Sequence, residues 1–190
     1  MPARKHRLAQ LIRRLTLPAL LSMASACLST VDFGDAEAPS QPRSKAPRET
    51  VLQEPVSVLE VKDGDTIVVD VEGIEETVRL KGIDTPELFP EPAEPFAVDA
   101  KNFTLEQVGA QVELQFDSGC PEPAYETCRD AYDRLLAYVR LSDGSDLGEA
   151  LLAAGLARVF VFEGEPFDKQ QNYESIEAEA RNSGRGLWGS

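Results

Sequence analysis

Two short β-branched runs, Val56 to Lys62 and Thr66 to Val71, are separated only by Asp63-Gly64-Asp65, and this constrains the fold more than any other stretch. Apolar alternation at period two makes strands, and an acidic, Gly-centred turn this short joins them as an antiparallel hairpin. Glu75 to Ile83 continues the alternation, with Val78 and Leu80 on one face and Thr77, Arg79 and Lys81 on the other, which predicts a third strand. Beyond it the pattern predicts a helix over Ala97 to Gln107 and two more strands over Gln111 to Asp117 and Leu135 to Leu141. A short capped helix over Asp146 to Ala154 is ended by Gly155. An extended piece over Leu156 to Phe162 and a polar helical segment over Phe167 to Arg181 complete the chain. Three strands, a helix, two strands and then helices predict a small closed barrel with about three attached helices, an α+β fold that is mainly β.

What precedes the barrel reads as export machinery. Arg4, Lys5, Arg7, Arg13 and Arg14 lead into an apolar run from Leu15 to Ala26, too short to span a bilayer as a mature helix and right for a signal peptide over residues 1–26. Ala24-Ser25-Ala26-Cys27 resembles the lipobox of bacterial lipoproteins, which implies acylation of Cys27 and a membrane tether, although Ala24 departs from the usual Leu. The alternative is ordinary cleavage after Ala26, leaving Cys27 as an odd thiol. Residues 27–54 are poor in large apolar side chains and rich in Pro, Ser, Ala and acids, so they read as a disordered tether. Residues 55–190 are long enough for one core. The expected location is the cell envelope, with the outer membrane or periplasm favoured because Leu28 rather than an aspartate follows Cys27, or secretion.

Charge and residue types then exclude whole classes of chemistry. Without the leader, 14 Lys and Arg stand against 33 Asp and Glu, a net charge of −19, so bulk attraction to a polyanion is not expected. The only histidine, His6, lies in the leader, which removes Ser-His-Asp, Cys-His and His-zinc sites from consideration. Three cysteines are too few for a structural zinc site. Cys120 and Cys128 flank a Pro-rich loop in an exported chain and are expected to pair, contributing about 2 to 3 kcal/mol by closing the loop. Two unrelated buried thiols is the other reading.

Each remaining polar signal is weak alone. Asp63-Gly64-Asp65 reads as a turn or as a ligand pair, Asp84-Thr85-Pro86-Glu87 as a chain reversal, and Arg79 and Arg134 as solvated strand residues. Their order is stronger evidence: strand, Asp65, strand, Arg79, Asp84-Thr85-Pro86-Glu87, helix, strand, Tyr132-Asp133-Arg134. With Val78-Arg79-Leu80 before Gly82-Ile83-Asp84, Leu136-Ala137-Tyr138-Val139, Gly155-Leu156-Ala157 and the closing Gly186-Leu187-Trp188, the chain from about Val56 to Trp188 resembles the staphylococcal (thermonuclease) nuclease family.

The resemblance implies an OB-type five-stranded barrel and a calcium-dependent endonuclease acting on DNA and RNA, single-stranded or locally open, with 3′-phosphorylated products. It implies that Asp65, Asp84 and the Thr85 carbonyl ligate Ca²⁺, that Glu87 acts on the attacking water, and that Arg79 and Arg134 bind the phosphate. Hard oxygen ligands suit Ca²⁺, and two guanidinium forks suit a phosphodiester whose charge builds in the transition state. Tyr132, Phe160 and Phe162 fall where the family contacts the nucleotide, the two phenylalanines in place of tyrosines; core aromatics on a strand is their alternative reading. Asp133 stands where the family has Gly, and Glu91 and Glu94 occupy a loop that is basic in the prototype, so weaker, more salt-sensitive substrate binding is expected. The family's compact barrel implies a monomer. A non-catalytic OB module that binds nucleic acid or a protein is the competing function, and a calcium-stabilised structural lipoprotein is a third.

Overall fold

The computed structural model describes residues 54–189, so the readings of the signal peptide, Cys27 and most of the tether lie outside the described residues. The hairpin predicted around Asp63-Gly64-Asp65 is formed by β1 (Val56–Val61) and β2 (Thr66–Val71), which pair antiparallel. β3 (Ile74–Leu80) pairs antiparallel with β2. After β4 (Ile83–Asp84) and α1 (Ala97–Val108) come β5 (Gln111–Gln115), the single-turn α2 (Ala124–Thr127) and β6 (Leu135–Arg140). The chain finishes with α3 (Leu147–Ala154), β7 (Arg158–Val159) and α4 (Gln170–Asn182), with 3-10 turns at Phe162–Gly164 and Gly186–Trp188.

Five strands close into a barrel in the order β1, β2, β3, β6, β5, with β5 returning antiparallel to β1. The β3–β6 pair is the parallel one, with Arg79 opposite Leu136. Inward-facing residues at period two fill the interior: Ile67 and Val69 from β2, Val78 and Leu80 from β3, Leu114 from β5, and Leu135, Ala137 and Val139 from β6 are all buried. Each such side chain contributes about 1.5–3 kcal/mol on leaving water. In β1 the register passes from Val58 opposite Val69 to Glu60 opposite Val68, so Leu59 is a bulge. The helices cover the barrel. Tyr138 of β6 meets Tyr173 of α4 edge to face at 6.2 Å, and both hydroxyls donate to buried carboxylates, Tyr138 to Asp117 and Tyr173 to Asp146.

The structure departs from the sequence pattern at particular places. The strand predicted over Glu75 to Ile83 breaks after Leu80, because Gly82 adopts φ +82 and the Phe167 ring lies 2.5 Å from where a Cβ would sit. Ile83 and Asp84 then pair instead with Val159 and Arg158 in a separate two-stranded ladder. The predicted extended piece over Leu156 to Phe162 shrinks to those two residues before the 3-10 turn. α4 begins three residues later than the predicted segment, at Gln170. The short α3 is capped as predicted, with the Asp146 side chain accepting from the Glu149 N–H and Gly155 in the left-handed region. Cys120 and Cys128 form a disulfide with their Cα atoms 5.3 Å apart, and the loop they close carries α2.

Candidate active site

The site begins at the tight turn between β1 and β2. Gly64 is buried there, and a Cβ on it would fall 2.7 Å from Cβ of Ala100 and 2.8 Å from Oγ1 of Thr85. Its carbonyl accepts a 2.6 Å hydrogen bond from the hydroxyl of Thr104 on α1. Helix and turn are thereby locked together, which carries Asp65 inside: the residue is only 3% exposed. One Asp65 carboxylate oxygen accepts from the backbone N–H of Thr85 at 2.8 Å and from its hydroxyl at 3.1 Å, and the other accepts from Thr66 at 3.0 Å. Asp63, left open by the sequence between turn and ligand, closes the turn by accepting from the N–H of Asp65. Burial, reinforced by the neighbouring Asp65 charge, pushes the Asp63 carboxyl up to about 6.

Arg79, on the outer face of β3, joins the two aspartates. Its guanidinium reaches Asp65 at 2.9 Å and Asp84 at 2.7 Å, and it also donates to the carbonyls of Ile83 and Leu80 at 2.8 and 3.2 Å. The break after Leu80 is what turns Asp84 back toward this guanidinium. Partial burial holds the Asp84 carboxyl above the usual carboxylate range, with Arg79 opposing the shift and the Asp65 charge adding to it. Glu87 is raised for the same reasons: partial burial first, then the nearby charges of Asp65 and Asp84. Asp65, Arg79, Asp84 and Glu87 therefore form one electrostatically coupled group, with Thr85 hydrogen-bonded to Asp65.

Arg134 lies just ahead of β6, and the parallel register that sets Arg79 beside Leu136 places it on the same side of the β3–β6 pair. Its Nε donates to Asp130 at 2.7 Å, while the other Asp130 oxygen accepts from the N–H groups of Tyr132 and Arg134. Both terminal nitrogens of Arg134 are without a hydrogen-bond partner among the described residues. The Tyr132 ring, 82% exposed, lies 5.5 Å from the guanidinium. Asp133 adopts φ +64, in the left-handed region that favours Gly. Its carboxylate faces Arg129 at 3.7 Å, and its carbonyl accepts from Arg129 at 2.9 Å. Phe160 and Phe162 are 46% and 59% exposed, so the core-aromatic reading fails for both.

Three contributors escaped the sequence reading. Asp130 orients Arg134. Arg129, held by both oxygens of Glu76 at 2.8 and 2.9 Å, fixes the turn. Arg158 stands opposite Asp84 in the β4–β7 ladder with its guanidinium 5.3 Å from the Trp188 ring, and it helps hold the Asp84 carboxyl down. An Asp two residues before the Tyr132-Asp133-Arg134 run is the only sequence signal for the first; the others depend on long-range pairing.

The donors fit a hard cation. Asp65 and Asp84 offer carboxylate oxygens and Thr85 a backbone carbonyl, an all-oxygen set of the type that Ca²⁺ takes when waters complete its shell. Among the described residues no three acidic, histidine or cysteine side chains converge as a metal cluster, so two carboxylates, the carbonyl and water would have to suffice.

A family model of staphylococcal nuclease homologues matches residues 77–190. The chain is 28% identical over 181 residues to a thermonuclease of Staphylococcus hyicus, an alignment covering 93% of this chain and 99% of that protein. It is 38% identical over 135 residues to a thermonuclease of Staphylococcus intermedius, covering 69% and 74% of the two chains. It is also 38% identical over 131 residues to endonuclease YncB of Bacillus subtilis strain 168, covering 66% and 57%. With the matched region holding Arg79, Asp84, Thr85, Glu87 and Arg134 on a closed five-stranded barrel, the chain belongs to the staphylococcal nuclease family.

Proposed function

We propose that this protein is a calcium-dependent nuclease that hydrolyses phosphodiester bonds in DNA and RNA, exported and held at the cell envelope by a lipid on Cys27. The names of the thermonuclease and endonuclease relatives support the nuclease activity. The observation that carries the reading is the single guanidinium of Arg79 spanning Asp65 and Asp84 beside Glu87.

In this reading Asp65, Asp84 and the Thr85 carbonyl hold the cation. Calcium, when bound, supplies a Lewis acid for a phosphodiester oxygen and polarises water. Glu87, beside the two aspartates, takes the proton of the attacking water. The two terminal nitrogens of Arg134, without a hydrogen-bond partner among the described residues, form a fork that matches a phosphate bidentately, and Arg79 adds its remaining N–H groups from the neighbouring strand. Both stabilise charge that builds on the phosphoryl oxygens, so losing either lowers turnover more than binding. The oxygen of water bonds to phosphorus as the P–O5′ bond breaks, the departing O5′ takes up a proton from solvent, and the products are a 3′-phosphorylated fragment and a fragment with a free 5′-hydroxyl. Without a cation the acids repel nucleic acid, which makes binding itself metal-gated.

The test is cleavage of single-stranded DNA and of RNA by the mature protein with Ca²⁺ and with EGTA, beside Arg79→Ala and Glu87→Ala. Calcium-dependent cleavage lost in both variants supports the reading; a folded, Ca²⁺-loaded wild type that cleaves neither polymer overturns it in favour of a binding module. Mass spectrometry of protein from its native membrane tests the tether separately, since an unmodified chain starting at Cys27 removes it.

A further inference from the structure

A cleft of about 430 Å³ opens beside Glu87 and is lined by Glu60, Lys62, Asp63, Phe89 and Lys101 as well. Lys62 follows β1 and Lys101 stands on α1, so two lysines line one cleft from different elements. Residues 54–189 contain four lysines, and half of them are here, which a strongly acidic chain would not do by simple dispersal of charge. Three carboxylates line the same cleft, yet neither lysine has a carboxylate within 4.0 Å among the described residues. Lys62 donates only to the Thr77 hydroxyl, at 3.2 Å. Phe89 is 74% exposed at the rim, an aromatic face held in water next to two lysines that have no carboxylate partner among the described residues. The volume is within the range of about 300–1,000 Å³ that small-ligand sites occupy, enough for one nucleotide.

We propose that this cleft is the subsite for the nucleotide adjoining the scissile phosphodiester, with its base stacked on Phe89 and its phosphate between Lys62 and Lys101. The proposal rests on the nuclease reading, which puts the reacting phosphate beside Glu87. Ammonium groups supply the phosphate contacts, and an exposed aromatic ring accepts any base because every base has a π face. Glu60, Asp63 and Glu87 oppose a bare anion, so inorganic phosphate alone binds poorly and the stacked base is needed.

The experiment measures kcat, KM and their salt dependence for the mature protein with Ca²⁺ on a single-stranded DNA oligonucleotide and on its abasic counterpart. Wild type is compared with Phe89→Ala and with the Lys62→Ala/Lys101→Ala double variant, and equal melting temperatures show that all are folded. In each variant KM rises about tenfold with kcat little changed. The Phe89→Ala defect disappears on abasic DNA, whereas the double lysine variant stays defective and flattens the plot of log affinity against log salt by about 1.4. Fluorescence anisotropy with a phosphorothioate DNA gives Kd values in the same order. Unchanged KM, Kd and salt slope in a wild type that cleaves overturn the subsite and leave the nuclease reading intact. A wild type that does not cleave overturns that reading, and the Kd series then decides the cleft on its own.

Discussion

Asp130 grips Arg134 twice, accepting from its side-chain Nε at 2.7 Å and from its own backbone N–H at 3.0 Å. Burial works against the Asp130 carboxylate, but the N–H donors of Arg134 and Tyr132 outweigh it and hold its pKa down, so the pair stays ionised. Asp130→Ala frees the guanidinium and unfastens the turn, costing about 1–3 kcal/mol of stability. Asp130→Asn keeps an acceptor for the backbone and loses the charge. The expected outcome is a kcat reduced in both variants with a melting temperature restored only in Asn; equal kcat in wild type and both variants would show that Asp130 does not position Arg134.

Arg79 makes a different prediction, because it is a counter-charge to Asp65 and Asp84 and, in the proposed mechanism, a hydrogen-bond donor to the phosphate. Its removal leaves Asp65 buried without a cation, and breaking such a pair costs about 3–5 kcal/mol. In the proposed reading, calcium on the two aspartates would replace the missing charge. Ca²⁺ should therefore raise the melting temperature of Arg79→Ala more than that of wild type, while kcat of the variant stays about 10²–10³-fold lower. An identical Ca²⁺-induced shift in the two proteins would mean that the cation does not sit on Asp65 and Asp84.

The contrast between what the chain displays and what it hides follows from range. The barrel strands are legible because alternation at period two is local, as Ile67 and Val69 or Val78 and Leu80 show. The site acids are legible only as an ordered set, since Asp65 and Asp84 alone look like turn residues. The break after Leu80 is hidden because it depends on Phe167 closing over Gly82 from far along the chain. Arg158 opposite Asp84, and Lys62 and Lys101 lining one cleft, are likewise products of tertiary structure. Phe160 and Phe162 were ambiguous for a related reason, because apolar residues near a strand end face inward or outward according to where the strand stops, and it stops at Val159.

The Glu76–Arg129 pair predicts an acid limb in stability. Hydrogen bonds from Arg129 hold the Glu76 carboxyl below its ordinary 4.5, overcoming partial burial, and Tyr125 adds a further donor at 2.8 Å. A depressed folded-state pKa contributes stability that is present above the unfolded value and is lost as pH falls through the folded value. Glu76→Gln should cost about 1.5–3 kcal/mol at pH 7, and the gap to wild type should narrow progressively below pH 4.5. Urea melts of both proteins across that range check the sign; a gap that widens on acidification would rule out the ionised pair as its source.

Gly64 offers the sharpest test of how the turn builds the site. Its φ lies in the ordinary region, so an alanine there meets no backbone penalty and the whole effect comes from space. The added Cβ falls 2.7 Å from Ala100 and within 3 Å of Thr85, both on well-buried supports, so α1 or the Asp84-Thr85 segment must move. Overpacking of this kind costs about 1–3 kcal/mol. Either movement disturbs the Thr104 hydroxyl bond to the Gly64 carbonyl or the Thr85 bonds to Asp65, and hence the placement of the carboxylate proposed to hold calcium. Gly64→Ala should weaken Ca²⁺ binding by calorimetry as well as stability. The double variant Gly64→Ala/Ala100→Gly removes the closest clashing atom and should restore part of both. Recovery of neither, with Thr85 unshifted in a structure of the variant, would show that the close approach of turn and helix is incidental to the site.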